Sequence, residues 1–418
     1  MRKPETIETL YLDFDGFFAS VMQQAMPHLR GKPVGVIPFD TASAQYTTVI
    51  ACSKEAKARG VQNVMRVPEA RAICPDIVLV MQRPDLFRWA HGALLNEISC
   101  EIPIETVKSI DELCCTLTKS DIGDPQGLAR RLKSFIAENI GPHITCSIGY
   151  AANRLLAKMA CKMDKPNGVT IWRPEDMPRP LQDLPLTEVP GIGGRMEKRL
   201  AAAGVNQMEG LLDLQPKQAR ALWGNVTGER LWYALHGYAL KAEPTGRGMY
   251  GHGRVLPPEW RNLDKAYDCA RLLLIKAARR MRRDRFYTNR LWVWLDLRKG
   301  AWVQCRDIPS AHDDKAILSA LDILWEKARD DLARHKIEIV RVGVTLSDLT
   351  PANARKRDLF HADDEDRQKW ERLTADMDGL NRKFGKRVLS LGPLTPPPGG
   401  YAGGKIAYTR IPSAEDFW

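Results

Sequence analysis

Two short acidic stretches hold the residues best suited to chemistry. In Leu10-Tyr11-Leu12-Asp13-Phe14-Asp15-Gly16, the β-prone and apolar run from Thr9 to Leu12 predicts a buried strand that runs straight into two carboxylates. Gly16 then lets the chain turn into an apolar helix predicted over Phe17 to Gln24. Charge at the end of a buried strand costs desolvation. A hard cation such as magnesium, which takes oxygen ligands, offsets that cost; alternatively Asp13 or Asp15 caps the helix, a position Asp favours. The second stretch decides between them. Ile104 to Thr118 predicts two apolar strands joined through Ser109-Ile110-Asp111-Glu112. In a split β-α-β sheet the third strand lies between the first two and antiparallel to both, so the end of the first strand and the tip of this hairpin share one sheet edge. Asp13, Asp111 and Glu112 then converge. Three clustered carboxylates repel unless metal neutralises them, and two ions roughly 3.5–4 Å apart suit in-line phosphoryl chemistry.

The elements that must hold these groups follow from periodicity. Residues 85–100 predict an apolar-rich helix, Pro125 to Asn139 an amphipathic helix, and His143 to Ala151 a returning strand. Arg154, Lys158, Lys162 and Lys165 recur at helical spacing and end in Lys165-Pro166-Asn167-Gly168. Val189 to Val205, VPGIGGRMEKRLAAAGV, predicts a helix-hairpin-helix. Its glycines Gly191, Gly193 and Gly194 offer backbone N–H groups at a helix N-terminus, an anion site able to hold duplex DNA by phosphate without reading sequence. Beyond a Gly-rich basic linker (Gly246 to Arg254) come a strand, a helix (Asp264 to Asp284), two strands, a helix (Asp313 to His335) and a last strand. The first of these helices ends in a cluster, Arg279, Arg280, Arg282 and Arg283, expected to grip phosphate. From Thr350 the polar chain, with Pro-Pro-Pro-Gly-Gly near its end, predicts an extended or disordered arm.

At 418 residues the chain calls for several domains. A net charge of +11 and a pI near 9.2 favour a polyanionic partner. The 9 cysteines show no CxxC pair, as expected of reduced thiols inside the cell. No apolar run approaches the roughly 18 residues of a membrane span, so a cytoplasmic protein with no membrane partner is expected.

DFDGFFASV with SIDEL, LAKMACKMDKPNG and VPGIGGRMEKRLAAAGV occur in the order seen in the Y-family (UmuC/DinB-type) translesion DNA polymerases, which the chain resembles over about residues 8–350. The resemblance implies an α+β multidomain fold. Its parts would be a ferredoxin-like palm (1–31 and 86–174), fingers (32–85), a helical thumb with the helix-hairpin-helix (175–243), a β-α-β-β-α-β little finger (244–350) and a partly flexible C-terminal extension (351–418). It implies a low-fidelity, template-directed polymerase acting on damaged DNA at the nucleoid, a monomer whose partners are primer-template DNA and dNTPs. Two Mg2+ ions would be held by Asp13, Asp111, Glu112 and the carbonyl of Phe14. Lys165 would meet the nucleotide's phosphates, and Phe17 and Phe18 would flank the nucleotide, with Phe18 as the ring that rejects a ribose 2′-OH. Lys54 and Lys57 stand where the family commonly has Tyr and Arg, and lysine lacks arginine's planar fork. Lys158 would touch a DNA phosphate. Leu359 and Phe360, in Asp-Leu-Phe, would reach the sliding clamp, although the glutamine usual in that peptide is missing. A catalytically inert paralogue acting as a scaffold would be marked by loss of the carboxylates, and this chain keeps all three. A nucleotidyl cyclase on a similar palm has no need of a duplex grip.

Overall fold

Local pattern and long-range register cooperate most clearly in the sheet that carries the acidic residues. The computed structural model describes residues 1–38, 47–241, 246–333, 338–355 and 365–395, together with Ile411, Ser413 and Glu415. Two compact units divide the chain, residues 1–243 with 406–411 and residues 244–405 with 412–418.

The first unit opens with β1 (Thr9–Phe14) and α1 (Phe17–Ala25). An inserted layer follows: β2 (Val34–Ile37), β3 (Ala51–Cys52), α2 (Lys54–Ala58), α3 (Val67–Ile73) and β4 (Val78–Met81). The chain then returns through α4 (Pro84–Glu101), β5 (Ile104–Val107), β6 (Glu112–Thr116), α5 (Lys119–Gly123), α6 (Pro125–Asn139), β7 (Cys146–Ala151), α7 (Arg154–Met163) and β8 (Val169–Ile171). The main sheet has the order β5-β6-β1-β7-β8, and β6 lies antiparallel between β5 and β1, the expected split arrangement. Alternation along β1 sets its two faces. Leu10, Leu12 and Phe14 join one core with Phe17, Leu94, Ile98 and Leu132, while Tyr11 joins a second core with Ala157, Met159 and Cys161 of α7. The inserted layer is a small sheet, β3-β2-β4, with its own core of Ile37, Val49, Cys52, Ala56 and Val67. Helices α8 (Gly194–Ala202), α9 (Met208–Leu212), α10 (Pro216–Trp223) and α11 (Val226–Leu235) follow.

In the second unit β9 (Met249–Val255), α12 (Leu263–Arg283), β10 (Phe286–Leu297), β11 (Ala301–Ala311), α13 (Asp314–Leu332) and β12 (Ile339–Pro351) follow the β-α-β-β-α-β order. The sheet runs β11-β10-β12-β9, and its core includes Leu273, Ala277, Leu291, Val293 and Trp325.

Three expectations for this unit are corrected. Most of the stretch expected as a linker, Gly246 to Arg254, is itself the first strand, β9, and among the described residues no separate strand lies between it and α12. Three of the four arginines expected to grip phosphate at the end of α12 are turned into the fold. Arg279 and Arg280 are buried, and the Arg282 side chain is only 8% exposed. Arg282 pairs with Asp314 at 2.7 Å and Asp378 at 2.7 Å, and Arg280 donates to the carbonyl of Gly251 at 2.8 Å. Arg283 is more exposed and donates to Ser413 Oγ at 2.7 Å. The tail is not wholly extended either, because residues 365–383 form α14 (Glu365–Lys383). Its Thr374 and Asn381 are buried, and its Asp378 supplies charge that lets Arg282 leave water. A buried cation is tolerated only when paired in this way.

Candidate active site

β1 delivers Asp13 to the point where three strands meet. Asp13 is in register with Glu112 of β6 on one side and Ser147 of β7 on the other. Directly opposed residues of an antiparallel pair project to the same face with their Cβ atoms about 5 Å apart, so the two carboxylates stand side by side. Asp111, one residue earlier, belongs to the hairpin tip. That tip is tied to β1 by the N–H of Phe14, which donates to the carbonyl of Asp111 at 2.9 Å. Ser109 Oγ donates to Asp111 Oδ1, and His91 Nδ1 of α4 bonds the carbonyl of Ile110 at 2.8 Å.

Cationic side chains meet this acidic edge. Lys165 Nζ lies 2.6 Å from Asp13 Oδ1, and Lys158 Nζ lies 2.6 Å from Glu112 Oε1 and 3.2 Å from the Tyr11 hydroxyl. Burial pushes the Asp13 carboxyl up to about 6, with Lys165 opposing the rise and Asp111 and Glu112 adding to it. Burial also works against the Lys165 ammonium, but Asp13 outweighs it and the net shift is upward. The donors are hard oxygens, and two of the three carboxylates already hold an ammonium at bonding distance. That chemistry fits divalent cations. Among the described residues no three His, Cys, Asp or Glu side chains close on a single ion position.

Beside this edge lies a cavity of about 600 Å3 lined by Asp15, Gly16, Lys54, Lys57, His143 and Lys165, among others. Its wall is built by the close approach of β1's exit to β3. A Cβ at Gly16 would stand 3.0 Å from the carbonyl of Cys52, and the φ of +54° at Gly16 is one that glycine adopts without strain. Ser53 caps α2 by accepting from the N–H of Ala56 at 3.3 Å, leaving Lys54 and Lys57 exposed on it. Three lysines around one open cavity suit a polyanion.

The remaining candidates separate. Phe18 is half-buried and stacks on Phe87 with 4.5 Å between ring centroids and 8° between planes. Phe17, expected at the nucleotide, is instead buried in the core against Phe14; neighbouring helical residues point about 100° apart, and Phe18 packs at the edge of the same core, only partly buried. Lys158, expected at a DNA phosphate, places its ammonium 2.6 Å from Glu112 Oε1 with its side chain partly exposed. Gly191, Gly193 and Gly194 are exposed with open space where a Cβ would sit, and Gly191 has a φ of +101°. Leu359 and Phe360 lie outside the described residues. His91 and His143 carry no local signal: each is a lone histidine whose place depends on residues distant in sequence.

Comparison with known proteins gives a consistent family. Residues 12–162 match the impB/mucB/samB family, residues 174–205 the IMS family HHH motif, and residues 247–359 the impB/mucB/samB family C-terminal domain. DNA polymerase IV of Moorella thermoacetica is 33% identical over 391 residues, covering 91% of this chain and 94% of that protein. DNA polymerase IV 1 of Bacillus subtilis is 26% identical, covering 91% and 92%. Among solved structures, a Y-family DNA polymerase chimera superposes with a TM-score of 0.69 at 23% identity, covering 82% of this chain and 99% of that one.

Proposed function

The chain belongs to the Y-family, DinB-type DNA polymerases, and from that premise we propose that Asp13, Asp111 and Glu112, with the Phe14 carbonyl, form the catalytic edge of a translesion polymerase and hold two magnesium ions. The enzyme is a DNA-directed DNA polymerase of the translesion class, and divalent metal ions belong to that chemistry. Its substrates are primer-template DNA and dNTPs. A catalytically inert scaffold has no support from the relatives, which are named as polymerases.

One observation carries the assignment of the site: Asp13 and Glu112 face each other across β1 and β6, with the Lys165 ammonium 2.6 Å from Asp13 at the rim of the lysine-lined cavity. Divalent metal bound at this edge supplies Lewis-acid polarisation of the phosphoryl oxygens and a lowered pKa for the primer 3′-hydroxyl. Asp13, Asp111 and Glu112 hold the ligand oxygens in place from two strand ends. Lys165, Lys54 and Lys57 neutralise the triphosphate and orient it in the cavity. Phe18, fixed by its stack on Phe87, presents the ring that excludes a 2′-hydroxyl. The exposed turn at Gly191 to Gly194 offers backbone N–H groups to duplex phosphate.

The palm, fingers, thumb and little-finger boundaries given above are part of this proposal, as are a monomeric state and work at the nucleoid. Among the described residues no helix is long and apolar enough to cross a membrane. The test is primer extension with and without magnesium by the parent, Asp111→Asn and Glu112→Gln. Extension should need the metal and fall by roughly 10³-fold or more in either variant, the scale for losing several kcal/mol of charge stabilisation, while DNA binding survives. Near-parental extension by either variant overturns the site.

A further inference from the structure

Asp15 lies two residues beyond Asp13 but does different work. Its carboxylate is buried, 8% exposed, and accepts from three donors on two separate segments: Ser147 Oγ at 2.8 Å, Thr145 Oγ1 at 3.0 Å and the backbone N–H of Asn167 at 2.8 Å. Its own backbone is fixed as well, with the N–H donating to the carbonyl of Thr145 at 2.9 Å and the carbonyl accepting from Ser20 Oγ at 2.6 Å. The bond to Asn167 matters most, because Asn167 sits in the turn that carries Lys165. The turn is gripped from its other side by Lys133, which donates to the carbonyl of Asn167 and, at 3.1 Å, to that of Gly168. A turn held at its N–H by one element and at its carbonyls by another keeps few alternative positions.

Asp15 also lines the cavity assigned to the triphosphate. A negative charge there opposes anion binding, so its presence calls for a compensating role. We propose that Asp15 is a positioning residue: it anchors the Lys165 turn so that the Lys165 ammonium is preset between Asp13 and the incoming nucleotide's phosphates. This inference rests on the polymerase reading of the site. It accounts for one carboxylate of Asp13-Phe14-Asp15 serving the acidic edge while the other serves the turn. A helix cap is not what the geometry shows, since Gly16 precedes α1 and no side chain caps that helix.

The experiment is a double-mutant cycle on the full chain, read as dNTP affinity on a dideoxy-terminated primer-template and as KM and kcat on an extendable one. Asp15→Ala should weaken dNTP binding by roughly 10- to 100-fold, the range for losing a hydrogen bond to a charged group, with DNA affinity unchanged. In a Lys165→Ala background the same change should add less than about threefold, because the residue through which it acts is gone. Asp15→Asn should restore dNTP affinity to within about threefold of the parent. Its amide oxygen can still accept from Asn167 and Thr145, and its amide N–H₂ can donate to the Ser147 hydroxyl, which is free to rotate. If Asp15→Ala does not fold, Asp15→Ser, too short to reach Asn167, replaces it in the cycle. Multiplying losses in the double variant, or no loss in the single one, overturns the inference. Failure of the parent chain to extend primers at all overturns the polymerase reading instead, so the two failures are distinct.

Discussion

Gly149 offers a test of how strictly the sheet positions the site. It lies on β7, in register with Tyr11, and α7 crosses it so closely that a Cβ would stand 2.2 Å from the carbonyl oxygen of Ala157 and 2.3 Å from the backbone N of Cys161. Ordinary contact begins near 3.4 Å, and both obstructing atoms are helix backbone, so no side chain can swing aside. In Gly149→Ala the helix must lift by roughly 1 Å, and an overpacked core of this kind costs about 1–3 kcal/mol. For a unit of this size that corresponds to a fall in Tm of roughly 2–12 °C. Because α7 carries Lys158 and leads into the Lys165 turn, a displacement near 1 Å should also lower kcat/KM by up to about 10²-fold. Thermal unfolding and single-nucleotide incorporation, the latter well below the transition, measure the two effects separately. A variant with parental Tm and parental kcat/KM would falsify the claim that backbone contact with α7 sets the lysines. Lost stability with unchanged kinetics would show that the helix moves without carrying them.

Other outcomes follow from the same geometry. Phe18→Ala should raise ribonucleotide incorporation relative to deoxyribonucleotide, measured as the ratio of the two kcat/KM values; an unchanged ratio assigns Phe18 to the core with Phe17. Arg282→Met should destabilise the second unit by about 3–5 kcal/mol, since Asp314 is left buried without its partner and Asp378 keeps only the longer contact to Arg279 at 3.5 Å, while the salt dependence of DNA affinity stays at its parental slope; a flattened slope would restore the arginine cluster to the DNA surface. His312 is held down to about 4 by burial, with Arg282, Arg355 and Arg367 adding to the effect. The unfolded chain therefore binds the extra proton first, and stability present above the ordinary histidine range near pH 6.5 is lost as pH falls towards 4, by about 2 kcal/mol at pH 5. Denaturant unfolding of the parent and of His312→Gln should show that difference, and parallel pH profiles would refute it.

The residues and their spacing determine more of this protein than a single motif does. Alternation from Leu10 to Phe14, the helical period of Pro125 to Asn139 and the turn at Ser109 to Glu112 are short-range features. The split-sheet rule then brings Asp13 opposite Glu112 from nearly a hundred residues away, so the acidic edge is legible in the sequence itself. The places of the cationic side chains are not. Arg282 and its neighbours look identical, as sequence, to a solvated helix terminus or a phosphate grip; Arg282 leaves water because Asp314 and Asp378 arrive from elsewhere in the chain. Lys158 and Lys165 lie on one basic run, yet the first meets Glu112 and the second Asp13, because α7 ends at Met163 and the turn beyond it is tied to Asp15. Hydrophobic periodicity is a property of neighbours in sequence, whereas the place of a long charged side chain depends on which opposite charge and how much water it finds after folding. That choice exists only in the tertiary structure.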